Sequence, residues 1–329
     1  DRNIISYSRL SSNTTAGVFM TGGSTASNTV TGNQVRSSGN YGVWINGASA
    51  VANRVVGNNL NGNNSGQWGL LLADADKNTV SNNTVRGYAR SGVSITAVAT
   101  SNTIIANTIV SNGSNGVSLN GVGVDDNRIV GNGIDGKYWQ DHGVNVQGGD
   151  GNLVTNNVFS RLTADGVLLA AGADTNRVVG NIFTNNRRGI VATNCGAPGA
   201  PSGLRIAANS MFGGTNAIVL HRVSDAGGYV SGNTARNGLA SGFGDVSAAR
   251  FSKGITFTNN IVSNYAAGAG FMANDSTNIR IDGNRTYAAT WGVGISQSVG
   301  CVASNNLSLC SNGGFHVDRS RSIRVVGNI

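Results

Sequence analysis

The feature that most constrains this chain is a repeat that returns about every 25 residues from one end to the other. Segments such as NTVTGNQV, NRVVGNNL, NTVSNNTV, NTIIANTI, NRIVGNGI, NLVTNNVF and NRVVGNIF align on the pattern N-x-V-x-x-N-x-V. The second Asn falls at Asn33, Asn58, Asn83, Asn107, Asn132, Asn157 and Asn181, then more loosely at Asn209, Asn233, Asn260, Asn284, Asn305 and Asn328. A second motif travels with it, as in YGVWI, WGLLL, SGVSI, NGVSL, HGVNV, DGVLL and RGIVA. A fixed period of this length marks units that stack because none can bury its apolar face alone.

Within each unit the apolar residues alternate, for example Val43 and Ile45, then Val55, then Leu60, with Gly or Asn between the runs. Period-two alternation is the pattern of strands with one face inside. Stacking then builds an interior column of Val18, Val43, Leu70, Val93, Val117, Val144, Val167 and Ile190. Each contributes roughly 1.5–3 kcal/mol on full burial. Composition agrees: the 15 acidic residues are all Asp, Lys occurs only at Lys77, Lys137 and Lys253, and Gly supplies 49 residues. Strong helix formers are scarce and turn formers abundant. The expected fold is all-β, a solenoid of about 13–14 coils of parallel strands. Asn at the turns is expected to tolerate left-handed backbone angles and to stack as a hydrogen-bonded ladder.

No linker-like shift in composition divides the chain, so residues 1–329 read as one domain, excised from a longer chain. No apolar run reaches the roughly 18 residues of a membrane span. Of the three cysteines, Cys301 and Cys310 are close enough in sequence to be a candidate pair, with Cys195 left over. There is no phosphate loop, zinc spacing or nucleophile elbow. Net charge is +8, from 23 Lys and Arg against 15 Asp. An anionic partner is implied, yet no basic run or nucleic-acid motif supports nucleic acid.

These repeats resemble the right-handed parallel β-helix of the pectate-lyase-like superfamily over essentially the whole chain. That superfamily includes polysaccharide lyases, glycoside hydrolases, alginate epimerases, phage tailspikes and non-catalytic adhesins, so the resemblance implies a fold and a range of functions. It implies a polysaccharide partner and an extracellular, secreted or virion-associated location. A tailspike-like protein would also be a homotrimer.

In a stacked coil, residues one repeat apart become neighbours about 4.7–4.9 Å apart. The residue before the Gly of the second motif runs Ala16, Tyr41, Trp68, Ser91, Asn115, His142, Asp165, Arg188, Asn216. This places His142, Asp165 and Arg188 on three consecutive coils, on an outward or groove-lining column, since unpaired burial of such charges is costly. The distance from ladder Asn to Gly is mostly eight or nine residues, but eleven from Asn58 to Gly69 and from Asn132 to Gly143. The second of these carries GKYWQDHG, which is expected to project Lys137, Tyr138, Trp139 and Asp141 over the charged column.

The candidate catalytic residues are His142, Asp165, Arg188, Tyr138 and Asp141, and the candidate substrate contacts are Lys137, Trp139, Trp68, Tyr41, Asn115, Asn145 and Arg187. For β-elimination or epimerisation, Arg188 or Lys137 would hold a uronate, His142 would take a proton, Tyr138 would donate one, and Asp165 or Asp141 would orient the imidazole. YWQDH resembles the Tyr-x-x-Asp-x-His cluster of alginate epimerases, with Asp141 and His142 adjacent rather than spaced. Hydrolysis would pair Asp141 with Asp165. DHGVNVQGG resembles the GHGLSIG segment of polygalacturonases, while Asn115 and Ser91 stand where that family carries aspartates.

The remaining readings are a carbohydrate-binding or adhesive β-helix without chemistry, and a structural shaft. No cofactor is expected. Calcium is the metal that the column Asp76, Asp125, Asp150 and Asp174 could hold, although Asx-turns explain it more simply.

Overall fold

The computed structural model describes residues 2–22, 25–196, 203–224, 227–243 and 251–329. Every regular element among them is a β-strand, and no helix is long and apolar enough to cross a membrane. The chain packs as two compact units, Asp1–Ala164 and Asp165–Ile329. The repeat runs through this division unchanged, which is why the sequence marks no boundary there.

Each turn of the first unit contributes three strands, as in Thr79–Ser81, Thr84–Arg86 and Ser91–Thr96. Two are three-residue strands and the third has six residues, so the unit has two short-strand sheets and one long-strand sheet. All pairings within it are parallel and in register. Val30, Val55, Val80, Ile104, Ile129 and Val154 form one interior column. The long strands stack Val18, Val43, Leu70, Val93, Val117 and Val144 as another, and all six are buried. The second unit repeats the design with a more varied set of side chains. Val178, Ile206, Val230, Phe257, Ile281 and Ala303 stack in its first short-strand sheet. Three-residue strands suffice because each strand inside the stack is hydrogen-bonded on both edges and buries its central residue.

Asn lines two corners. The Asn58 backbone N–H and side-chain Nδ2 both donate to Asn83 Oδ1, at 2.9 and 3.0 Å, and Asn58 Nδ2 also donates to the Val30 carbonyl at 2.9 Å. Asn83 repeats this onto Asn107, and Asn107 onto Asn132. In the second unit the same chain of bonds runs Asn181, Asn209, Asn233, Asn260, Asn284, Asn306, Asn328. A parallel ladder through Asn28, Asn53, Asn78, Asn102, Asn127 and Asn152 occupies the other corner. Each short amide satisfies a backbone N–H and a backbone carbonyl of the preceding coil, as Asn83 does for Asn58 and Val55, groups that buried corners otherwise leave orphaned.

Two details differ from expectation. The ladder Asn are not left-handed; the residue before each is, as at Gly57 (φ 66), Asn82 (φ 54) and Ala106 (φ 55). Near the C-terminus the rung is Asn306 and not Asn305, which takes the left-handed position (φ 54) and donates to Asp282. Paired Asn residues at positions 305 and 306 make the two roles indistinguishable in the letters.

Asn107→Ala should lower stability by about 2–6 kcal/mol, because it strands the buried Asn83 N–H and Val80 carbonyl, each costing about 1–3 kcal/mol. Asn63→Gly, at an exposed left-handed turn position (φ 50), should change it little. Urea denaturation midpoints compare the two directly, and equal effects would remove the ladder from the fold's energetics.

Candidate functional site

The six-residue strands of the first unit share one anatomy. Positions three and five point into the core, as Val93 and Ile95 do, and positions four and six face out. Gly at position two interrupts the alternation, so that position one lies on the outer face as well. A polar groove of about 390 Å³ follows these outer columns. Position one supplies Trp68, Ser91 and Asn115, position four Ser94, Ser118 and Asn145, and position six Thr96, Asn120 and Gln147, with Arg90 and Ser114 at the rim. His142 pairs in register with Asn115, on the strand that carries Asn145 and Gln147, but contrary to expectation it is not among the residues lining the groove.

Two of the groove amides carry unused capacity. Asn115 and Asn145 are buried, and neither side-chain carbonyl oxygen accepts a hydrogen bond. The Asn115 Nδ2 donates to Ser91 Oγ at 3.3 Å and to Ser114 Oγ at 3.2 Å. Buried acceptors without a partner are exceptions in a folded protein and mark these two positions out.

Beyond Trp68 the outer columns turn aromatic. Phe19 stacks on Trp44 at 4.3 Å, Trp44 on Tyr41 at 4.7 Å, and Tyr41 on Trp68 at 5.2 Å with planes 11° apart. The Arg90 guanidinium lies 5.1 Å over the Trp68 ring. Position four therefore reads Phe19, Trp44, Leu71, Ser94, Ser118, Asn145. Sequence reasoning followed position one and missed Phe19, Trp44, Arg90, Ser94 and Ser118; aligning all six positions of the strand would have exposed this second column.

The long turn through Lys137 and Trp139 is fixed from inside. Gln140 is buried; it accepts from the Asn112 N–H at 3.2 Å and donates to the His142 carbonyl at 3.0 Å. Asp141 is exposed, accepting from Thr163 Oγ1 at 2.9 Å. Tyr138 and Trp139 are 62% and 79% exposed. They are not among the residues lining the groove, contrary to expectation, since Gln140 anchors the turn and directs them away.

In the second unit, Asp165, Arg188 and Asn216 pair in register as expected. The expectation of an outward Asp165 fails, however. Its side chain is completely buried, held bidentately by Arg188 with Nε–Oδ1 2.5 Å and Nη2–Oδ2 3.1 Å. Burial is tolerated because the charge is paired, and the same pair occupies the groups proposed for acid–base work and uronate binding. Arg187 is exposed on the preceding turn.

The other candidate groups have local roles. Asp76 accepts the Thr100 N–H at 2.7 Å and Asp125 the Asp150 N–H at 2.8 Å, so these carboxylates cap the next coil and do not form Asx-turns within their own. Among the described residues, no group of three or more His, Cys, Asp or Glu gathers as a metal site. Cys301 and Cys310 do not pair. Cys301 points into the core before the strand Val302–Ser304, while Cys310 follows Leu307–Leu309 at another corner. Burial raises both thiols above their ordinary range.

Residues 53–200 match the family model described as a right handed beta helix region. Among solved structures, the Dettilon tailspike protein is 14% identical, covers 96% of this chain and 62% of its own, and has a TM-score of 0.55. The alginate lyase AlyF-OU02 is 11% identical, with 98% and 82% covered and a TM-score of 0.51. The fold is a right-handed parallel β-helix.

A GH87 α-1,3-glucanase from Streptomyces thermodiastaticus is also similar in fold, at 12% identity, 96% and 61% coverage and a TM-score of 0.51. The β-helix chain thus spans less than two thirds of the tailspike and of the glucanase. No curated protein matches it. Residues 199–329 match a model described as periplasmic copper-binding protein (NosD). Copper takes imidazole, thiolate or thioether donors, but in this stretch Cys301 is buried in the core and His316 lies 5.0 Å from the Trp291 ring. No group of three or more His, Cys, Asp or Glu gathers among the described residues, so the imidazole and thiolate donors of this stretch do not fit a copper site.

Arg188→Met should destabilise the protein by about 3–5 kcal/mol, since it leaves a fully buried carboxylate without its guanidinium. Thermal or chemical denaturation checks this; an unchanged midpoint would show that Asp165 is solvated.

Proposed function

We propose that this β-helix is a carbohydrate-active protein that seats an acidic glycan on the outer face of its first unit. The observation that carries this is the junction of a stacked aromatic platform with a polar groove. Sugar rings offer apolar C–H faces and peripheral hydroxyls. Tyr41 and Trp68, stacked on each other with Arg90 over the Trp68 ring, offer the apolar edges of that stack to the former, and Asn115 and Asn145 present unsatisfied buried carbonyl acceptors to the latter. Arg90 supplies the local cation, in accord with a net charge of +8. The fold neighbours named above include a tailspike, an alginate lyase and a glucanase, which supports a carbohydrate ligand in general. An extracellular or periplasmic location is consistent with such a ligand.

Of the two chemistries, β-elimination fits the residues better than hydrolysis. Hydrolysis needs two carboxyl groups as acid and base or nucleophile; no Asp lines the groove, and Asp165 is buried against Arg188. For elimination, Arg90 would hold the uronate carboxylate and polarise it. The imidazole of His142, paired in register with Asn115 next to the groove though not part of its lining, would take the C5 proton as the C5 electron pair forms the C4–C5 double bond and expels the C4 oxygen. That oxygen would be protonated by water or by a hydroxyl of the groove. A binding module without chemistry is the second reading, favoured by the absence of any carboxylate from the groove lining.

Incubation with a panel of acidic polysaccharides should yield oligosaccharides with new absorbance near the ultraviolet edge. Trp68→Ala should weaken polymer binding about tenfold, equivalent to ~1.4 kcal/mol, and His142→Ala should abolish the absorbance while leaving binding intact. Reducing ends without the absorbance would establish hydrolysis instead, and binding with neither product would establish the non-catalytic reading.

A further inference from the structure

Two turns of the first unit, near Gly62–Gly66 and Gly136–Gln140, are longer than the turns between them. They stand as walls above a lower floor and leave a cleft of about 710 Å³. Asn64, Lys137 and Trp139 form the walls; Ala89, Ser111 and Gly113 form the floor. Ala89 and Gly113 directly precede Arg90 and Ser114 of the glycan groove, so the cleft opens beside it.

The wall residues carry chemistry that the fold does not use. Trp139 is 79% exposed and stacks on no ring among the described residues. Lys137 makes no ion pair among them either. The carboxylate next to it, Asp135, is already engaged by Arg161, with Nε–Oδ1 at 3.0 Å, and by the Lys137 backbone N–H at 3.1 Å. Burial alone would raise the Asp135 carboxyl, but those hydrogen bonds and the Arg161 charge hold it below the usual carboxylate range. The ammonium therefore faces the cleft uncompensated.

Backbone conformation adds an independent observation. Lys137 (φ 47) and Tyr138 (φ 66) are consecutive left-handed residues, as are Asn63 (φ 50) and Asn64 (φ 62) in the other long turn. Asn adopts this conformation readily, whereas for a bulky residue it is strained. A turn that an Asn pair closes at less strain thus holds a cation and an aromatic pair instead, and strain of this kind concentrates at ligand sites.

We propose that the cleft is a second carbohydrate subsite, for a pyranose bearing a carboxylate. The face of the ring stacks on the Trp139 indole, the carboxylate pairs with Lys137 Nζ, and hydroxyls exchange hydrogen bonds with the Asn64 amide and Ser111 Oγ. This rests on the glycan reading of the groove and deepens it: the cleft takes an acidic residue or branch of a chain whose backbone lies across Trp68.

The test uses the four Trp indole N–H resonances, assigned by single Trp→Phe variants, titrated with free glucuronate, glucose and inorganic sulfate. Glucuronate should shift the Trp139 resonance, glucose should bind about tenfold more weakly, and sulfate should leave it unmoved. Lys137→Ala should abolish the preference for glucuronate over glucose, and Trp139→Ala should lose both sugars while acidic polymer still shifts the Trp68 resonance. A Trp139 resonance insensitive to glucuronate, alongside a Trp68 resonance that responds to polymer, overturns the subsite and leaves the groove reading standing. Sulfate reproducing the glucuronate shift overturns it too, by reducing the contact to charge alone. Polymer that moves neither resonance overturns the groove reading and this inference together.

Discussion

Everything in this molecule depends on the hydrogen bonds of Asn side chains from one coil to the next. A solenoid must turn its backbone sharply at buried corners, where N–H and C=O groups have no strand partner. The Asn amide is short enough to stay in the corner and has both a donor and an acceptor to offer. In the Asn33, Asn58, Asn83, Asn107 series it closes each corner with bonds near 2.9–3.0 Å. Neither Asp nor Leu could replace it, since one lacks the donor and the other lacks both groups. Because rungs stack one above another, the ladder also sets the register of the strands between them.

Register is what turns a monotonous sequence into a surface with distinct regions. Once the corners are locked, a single substitution at position one or four of a long strand lands on a defined column. Along position four of the first unit the side chains pass from Phe19 and Trp44 through Leu71 to Ser94, Ser118 and Asn145, giving an aromatic end and a polar end to one continuous face. Changes in turn length act in the same way. Gly62 and Gly66 admit the ring of the buried Tyr88, whose nearest atoms would lie 2.7 and 2.9 Å from a Cβ at those positions. The enlarged turn is thereby packed from beneath, a wall made rigid by the core.

Much of this was legible in the letters, for a physical reason. The fold is quasi-one-dimensional, so periodicity reports both secondary structure and tertiary neighbours. The pairings Tyr41 with Trp68, Asn115 with His142 and Asp165 with Arg188 all follow from counting. Counting does not give the direction of a side chain at an irregular point. The skipped Gly at position two leaves Trp68 and Asn115 on the groove, yet Asp165 at the same position is buried because a neighbouring guanidinium makes burial tolerable. Nor does counting show that Gln140, an unremarked letter in YWQDH, anchors the long turn from within and turns Tyr138 and Trp139 away from the groove. Those outcomes depend on hydrogen bonds that no spacing encodes.

The measurement that bears most directly on the groove is a crystal structure of the protein soaked with an acidic oligosaccharide. Sugar density should lie on the long-strand face of the first unit, with a ring against the edge of Trp68 and hydroxyls within hydrogen-bond distance of the Asn115 and Asn145 carbonyl oxygens. Density confined to a short-strand sheet, to an Asn corner or to the second unit would contradict the assignment of that face.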